Sequence, residues 1–215
     1  MSTTPLHVVV VTAGLSQPSS TRLLADRLAG ATEQALTGRD VEVETVELRD
    51  WAHDLTNHLL TGFPGPDLAS VLDRVRDADA LIAVTPIFNA SYSGLFKTFF
   101  DVLGLDALVD KPVLIAATGG SARHSLALDH ALRPLFAYLR AIVVPTAVYA
   151  ATEDWAFDNE LNARIHRAAG QLAQLVESST ATVTTPAQQQ DESAEVIPFT
   201  QLLAAQRSAA VQQLR

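Results

Sequence analysis

The sequence predicts a doubly wound α/β fold with a parallel sheet. Three observations predict it: short continuous apolar runs at regular intervals, helix-spaced apolar residues between them, and small or polar loops after the runs. Continuous β-branched runs mark strands buried on both faces. Strands that alternate with helices imply crossover connections and hence a parallel sheet. Of the 215 residues, 48% are hydrophobic and 18% charged, enough apolar material for a large core.

Residues 6–11 (LHVVVV) form the first strand, and Leu24, Leu28, Ala31 and Ala35 mark a helix that starts near Thr21. Residues 41–48 (VEVETVEL) alternate, as expected for a strand with one wetter face near a sheet edge. Residues 50–66, with Gly62, Pro64, Gly65 and Pro66, read as a long connection, followed by a short helix through Leu68, Leu72 and Val75. Residues 80–85 (ALIAVT) form a third strand and residues 86–94 (PIFNASYSG) a loop. Leu95, Phe96, Phe99, Phe100 and Leu103 define an apolar helix. A fourth strand at 113–117 precedes residues 118–124 (TGGSARH), and the next helix bends or restarts at Pro134. Residues 141–144 and 147–150 frame a fifth strand interrupted by Pro145, and Leu161, Ile165, Ala168, Leu172 and Leu175 the last long helix. Five parallel strands with helices on both faces suit the flavodoxin-like order 2-1-3-4-5. This domain spans residues 1–177. Residues 178–194 read as a flexible linker, and residues 195–215 as an apolar C-terminal segment with helical character.

The charge of -9 lacks the footprint of a nucleic-acid binder. The absence of Cys excludes disulfides, thiolate metal sites and a cysteine nucleophile. No run reaches the roughly 18 apolar residues of a membrane span, and no signal-peptide pattern opens the chain. These features predict a soluble cytoplasmic protein. No two of the 6 His stand at i,i+3 or i,i+4, so no metal site is expected.

In an open parallel sheet the ligand sits beyond the carboxyl ends of the strands, where the loops after strands one, three and four converge. The first loop offers Ser16, Ser19, Ser20 and Thr21 where a helix begins. Unpaired N–H groups and the helix dipole there can cradle a phosphate without Lys or Arg, although a plain Ser/Thr cap explains the same residues. The second loop holds Pro86, Ile87, Phe88, Asn89 and Ser91, which mix apolar, amide and hydroxyl groups suited to a flat polar ring. A turn with Phe88 plugged into the core is the plainer alternative. The third, Thr118, Gly119, Gly120 and Ser121, exposes bare amides. Arg123 and His124 follow, either to meet an anion or as solvated first-turn residues. Together the loops suit a ligand with a phosphate at one end and a flat heterocycle at the other, as in FMN.

The loop sequences at 14–21 (GLSQPSST), 86–97 (PIFNASYSGLFK) and 117–121 (ATGGS) resemble the NAD(P)H-dependent FMN reductase family over roughly residues 6–177. Residues 113–140 resemble the actinobacterial subgroup that accompanies luciferase-like flavin-dependent monooxygenases. The resemblance implies hydride transfer from reduced nicotinamide to flavin N5, with FMN as cofactor and NAD(P)H as co-substrate. It implies no catalytic side chain, because the flavin carries the chemistry. It also implies a homodimer or homotetramer, and a partner monooxygenase that receives reduced FMN. By the same resemblance, Ser16, Ser19, Ser20 and Thr21 fall at the phosphate. Pro86, Ile87, Phe88, Asn89 and Ser91 fall beside the ribityl chain and ring, and Thr118, Gly119, Gly120 and Ser121 at the pyrimidine end. Arg123 and His124 are candidate nicotinamide contacts. Where the family often has Arg after the first serine, this chain has Gln17, which leaves Arg22 as the substitute cation. Alternative readings on the same fold are a quinone or azo reductase that retains FMN, and a flavodoxin-like electron carrier.

Overall fold

The computed structural model describes residues 5–156 and 158–181. Its strands are β1 (Leu6–Thr12), β2 (Val41–Glu47), β3 (Ala80–Phe88), β4 (Ser91–Tyr92), β5 (Pro112–Gly119), β6 (Ile142–Val143) and β7 (Val148–Ala151). The sheet runs β2-β1-β3-β5-β6, with β4 paired to β3 and β7 to β5. All pairings are parallel except the short β3–β4 hairpin. With that hairpin set aside, and β6 and β7 sharing the last position, this is the expected order 2-1-3-4-5. Pro145 lies between β6 and β7, where the missing N–H interrupts the ladder.

The helices are α1 (Ser20–Ala35), α2 (Ala52–Thr61), α3 (Pro66–Asp77), α4 (Gly94–Val102), α5 (Arg133–Tyr138) and α6 (Asp158–Ala181). Alternation along β1 sends Val8 and Val10 to one face, against Leu24 and Leu28 of α1 and Ile165 and Leu172 of α6. Val9 and Val11 face the other layer, with Leu55 of α2, Val71 of α3 and Phe96 of α4. Phe96, Phe99, Phe100 and Phe136 interlock there, with Phe100 4.8 Å from Phe96 and 4.9 Å from Phe136 between ring centroids. All four are buried, as core residues should be. β2 lies at the sheet edge, and its charged Glu42 and Glu44 discourage pairing with another chain.

Three sequence expectations need correction. The connection at 50–66 is not irregular: it holds a 3₁₀ turn (Leu48–Trp51) and α2, closed by Gly62 in the left-handed region at φ 80°. Only Leu55 of α2 is buried, and Leu59 and Leu60 are exposed, so the helix adds little to the core. Pro86, Ile87 and Phe88 belong to β3 rather than to a loop, because the strand runs on into the β3–β4 hairpin. The last helix runs to Ala181, past the point where the linker was expected. The rest of that linker, and the segment 195–215, lie outside the described residues. The helix around Pro134 restarts as expected: a π-helical turn (Leu128–Leu132) hands over to α5 at Arg133.

At the amino end of the sheet, buried Lys111 donates from Nζ to the carbonyls of Ala78 and Arg76, the last of these at 3.0 Å, and so caps α3. Lys111→Met should lower stability by roughly 2 kcal/mol near neutral pH, because both carbonyls lose a charged donor. Burial holds the Lys111 pKa below its ordinary value, against the opposing pull of Asp79 and Asp77. Between the lowered and ordinary values the unfolded chain binds more protons, so wild-type stability should rise with pH across that interval. Urea titrations at several pH values would test both points; an unchanged midpoint in the variant contradicts the capping role.

Candidate functional site

The strands that feed the carboxyl edge are each marked by a threonine. Thr12 ends β1, Thr85 lies near the end of β3, Thr118 near the end of β5, and Thr152 follows β7. Two of them organise the loops. Thr85 Oγ1 accepts from Ser93 N (3.1 Å) and donates to the Pro86 carbonyl (3.0 Å), which ties the hairpin to the start of α4. The buried hydroxyls of Thr118 and Thr21 are hydrogen-bonded at 2.8 Å, joining the third loop to the first turn of α1. Asp154 Oδ2 accepts from Ala151 N (2.8 Å), which fixes the turn that carries Thr152. Thr12 Oγ1 is buried and has no hydrogen-bond partner among the described residues.

Ser19 is the N-cap of α1 and accepts from Arg22 N at 3.2 Å. Its seat depends on Gly14, where a Cβ would come within 2.1 Å of the Ser19 Oγ. The first turn of α1 carries no acidic side chain, so its dipole is open to an anion.

These elements enclose a cleft of about 380 Å3, lined by Ser16, Ser20 and Thr21 from the first loop, Pro86, Ile87 and Phe88 from the second, and Thr118, Gly119 and Gly120 from the third. Leu15 and Thr152 complete it. That volume lies toward the lower end of the ~300–1,000 Å3 typical of cofactor sites. Phe88 is 46% exposed at the rim, so it is not the core plug that the sequence also allowed.

Six expected site residues stand outside the cleft lining: Ser19, Asn89, Ser91, Ser121, Arg123 and His124. Ser19 is occupied as the cap of α1. Asn89 and Ser91 belong to the hairpin, where Asn89 and Ala90 take positive φ (49° and 68°) as a two-residue turn requires. Ser121 caps the 3₁₀ turn Ala122–His124, and its Oγ accepts from Arg123 N at 3.2 Å. Arg123 and His124 are exposed and line a second hollow of about 280 Å3, with Ala90, Leu126 and His130. Because alanine is strained at Ala90, Ala90→Gly should stabilise the fold by about 0.5–1 kcal/mol. A denaturation midpoint that falls instead would contradict the turn assignment.

The expected substitute cation is not free. Arg22 pairs with Asp26 (2.7 Å) and with Glu47, contacts that raise its pKa, the Asp26 hydrogen bond most of all. A cation that the sequence did not signal stands nearer the loop. Arg49, from the turn after β2, pairs with Glu47 at 2.7 Å and donates to the Ser16 carbonyl at 3.4 Å. With the Gln17 amide oxygen turned toward it, Arg49 also donates to Gln17 at 2.6 and 2.8 Å. No local pattern marks it, because it arrives from β2 by the parallel β1–β2 register that places Glu47 beside Thr12. Among the described residues no group of three or more His, Asp or Glu is placed to hold a metal.

Fold and cleft together define a flavodoxin-like protein with a nucleotide-sized hollow at its switch point. Comparison with known proteins narrows that class. Residues 6–156 match the model of the NADPH-dependent FMN reductase family. An FMN reductase (NADPH) of Pseudomonas aeruginosa is 42% identical over 179 residues, covering 80% of this chain and 94% of that enzyme. The NADH-dependent FMN reductase SfnF of Pseudomonas fluorescens is 40% identical, covering 80% and 92%. The crystal structure of an oxidoreductase from Corynebacterium diphtheriae superposes with a TM-score of 0.79 at 48% identity, covering 81% of this chain and 98% of that one. The chain belongs to the NADPH-dependent FMN reductase family.

Proposed function

We propose that the cleft between the three loops is the FMN site of an NAD(P)H-dependent FMN reductase. The observation that carries the proposal is the convergence of Ser16, Ser20, Thr21, Phe88, Thr118, Gly119 and Gly120 on one hollow at the carboxyl edge. The residues present fit the group. Ser16, Ser20 and Thr21 offer hydroxyls beside a helix amino end without acidic residues, which suits a phosphate.

FMN, when bound, supplies the hydride acceptor, N5, and needs no nucleophile or general base from the protein. The chain's own residues bind and orient. Phe88 at the rim presents an apolar surface to a ring. Gly119 and Gly120 line the cleft, and their backbone N–H groups would stabilise negative charge at the edge of a reduced ring. The cleft opens to solvent at exposed Phe88 and Gly120, which suits the approach of a nicotinamide to the ring. Arg123 and His124, in the second hollow, offer donors suited to the anionic part of the reductant.

An open rim also lets flavin leave, which supports release of reduced FMN to a separate luciferase-like monooxygenase. The resemblance to the family also supports a homo-oligomer that works in the cytoplasm. Among the described residues no helix is long and apolar enough to cross a membrane. NAD(P)H oxidation, measured with FMN, FAD, riboflavin and a quinone in turn, tests the reading. FMN should support the fastest turnover. No oxidation with any flavin would remove the reductase function, and quinone as the best acceptor would move it to a quinone reductase.

A further inference from the structure

We propose that Tyr149 is a positioning residue that holds the diglycine loop in the shape that receives the flavin ring; this rests on placing FMN in the cleft. Tyr149 sits on β7, in register with Ala117 of β5, and is only 3% exposed. It does not line the cleft. Its hydroxyl crosses beneath the end of β5 and donates to the Ser121 carbonyl at 2.9 Å. That bond fixes the exit of the loop, just as the Thr21–Thr118 hydroxyl pair fixes its entry.

The same hydroxyl explains why residue 119 is glycine. A Cβ there would stand 2.0 Å from the Tyr149 hydroxyl oxygen and 3.1 Å from its Cζ. Gly119 does not have a left-handed φ, so the requirement is steric and comes from the tyrosine. At Gly120, one residue on, a Cβ would meet nothing within 4 Å. The two glycines therefore serve different ends: Gly119 admits the support beneath the loop, and Gly120 leaves room above it. Burial, with Asp154 as a smaller contributor, raises the Tyr149 pKa, so the phenol remains a donor throughout the neutral range.

The strand that carries Tyr149 also braces the opposite wall. Asp154 accepts from Ala151 N and holds the turn from which Thr152 reaches the cleft. Arg164 Nη1 of α6 lies 3.5 Å from the Tyr149 carbonyl. β7 thus couples the loop after β5 to the helix layer without touching ligand.

The test is flavin titration of the full chain, followed by fluorescence quenching, for wild type, Tyr149→Phe, Gly119→Ala and the double variant. Tyr149→Phe should weaken FMN and riboflavin by the same factor, about five- to tenfold, because one hydrogen bond at the ring end is lost and the phosphate end is untouched. The absorption spectrum of the bound flavin should shift as well, a change that a loss of fold stability alone does not produce. Gly119→Ala should weaken both flavins more than about tenfold. In the double variant the hydroxyl is gone, so flavin should bind more tightly than to Gly119→Ala alone.

Tyr149→Phe with wild-type affinity and spectrum overturns the positioning role while leaving the FMN site intact. Losses in the double variant that simply multiply overturn the steric pairing with Gly119. Wild-type protein that binds no flavin overturns the FMN site and, with it, this proposal. The Tyr149→Phe comparison stands alone if Gly119→Ala fails to fold.

Discussion

Gly120→Val is expected to abolish measurable FMN binding and flavin-dependent NAD(P)H oxidation while leaving the fold intact. A Cβ at residue 120 meets no atom of the protein within 4 Å, and the residue lines the cleft. The added isopropyl group therefore enters the space assigned to ligand. Stability should change by no more than about 0.5 kcal/mol, as for exposed positions without special contacts. Binding should fall by at least about a hundredfold, since a bulky group inside a preformed site must be displaced or must exclude the ring. Urea unfolding and flavin titration on one preparation separate the two effects. Unchanged flavin affinity would show that the ring lies elsewhere.

Gly14→Ala should strike the other end of the ligand. The new Cβ would lie 2.1 Å from the Ser19 Oγ and 3.2 Å from the Thr21 Cβ. Ser19 must then leave the cap, and Arg22 N loses its acceptor. The cap alone contributes about 1 kcal/mol to stability. The larger effect should be on binding, because Ser16, Ser20 and Thr21 are all placed by this turn. FMN affinity should fall more than about tenfold, whereas riboflavin, which lacks the phosphate, should bind much as before. Equal losses for both flavins would mean that the first loop does not hold the phosphate. Together with Gly120→Val, this variant compares the two ends of the ligand, which the Thr21–Thr118 hydrogen bond links.

The sheet and the core were legible because each buried strand carries its own signal. The run at β1 is buried on both faces, and the alternation at β2 marks an edge strand with Glu42 and Glu44 turned outward. The helix α2 was not legible: Leu55 is its one buried side chain, while Leu60 and Phe63 nearby are 79% exposed. Leu55 and Leu59 stand at helical spacing, but the Gly and Pro residues at 62–66 beside them read as a loop. At the cleft, the local signals were strong where loop chemistry is dense, as in Ser20–Thr21 and Gly119–Gly120. They failed where a residue acts across the sheet. Arg49 reaches the first loop from the turn after β2, and Tyr149 reaches the third from β7. Neither position has a neighbour in sequence that announces its role, because both contacts exist only once the parallel register is set. Asn89 and Ser91 stand in the hairpin rather than in the cleft lining, and the two-residue turn sets the backbone of Asn89.

The most direct measurement is the crystal structure of the protein grown with FMN. The account predicts the phosphate against Ser16, Ser20 and Thr21, and the ring between Phe88 and the Gly119–Gly120 backbone with one face open to solvent. Density for FMN at any other surface, with this cleft left to water, would contradict it.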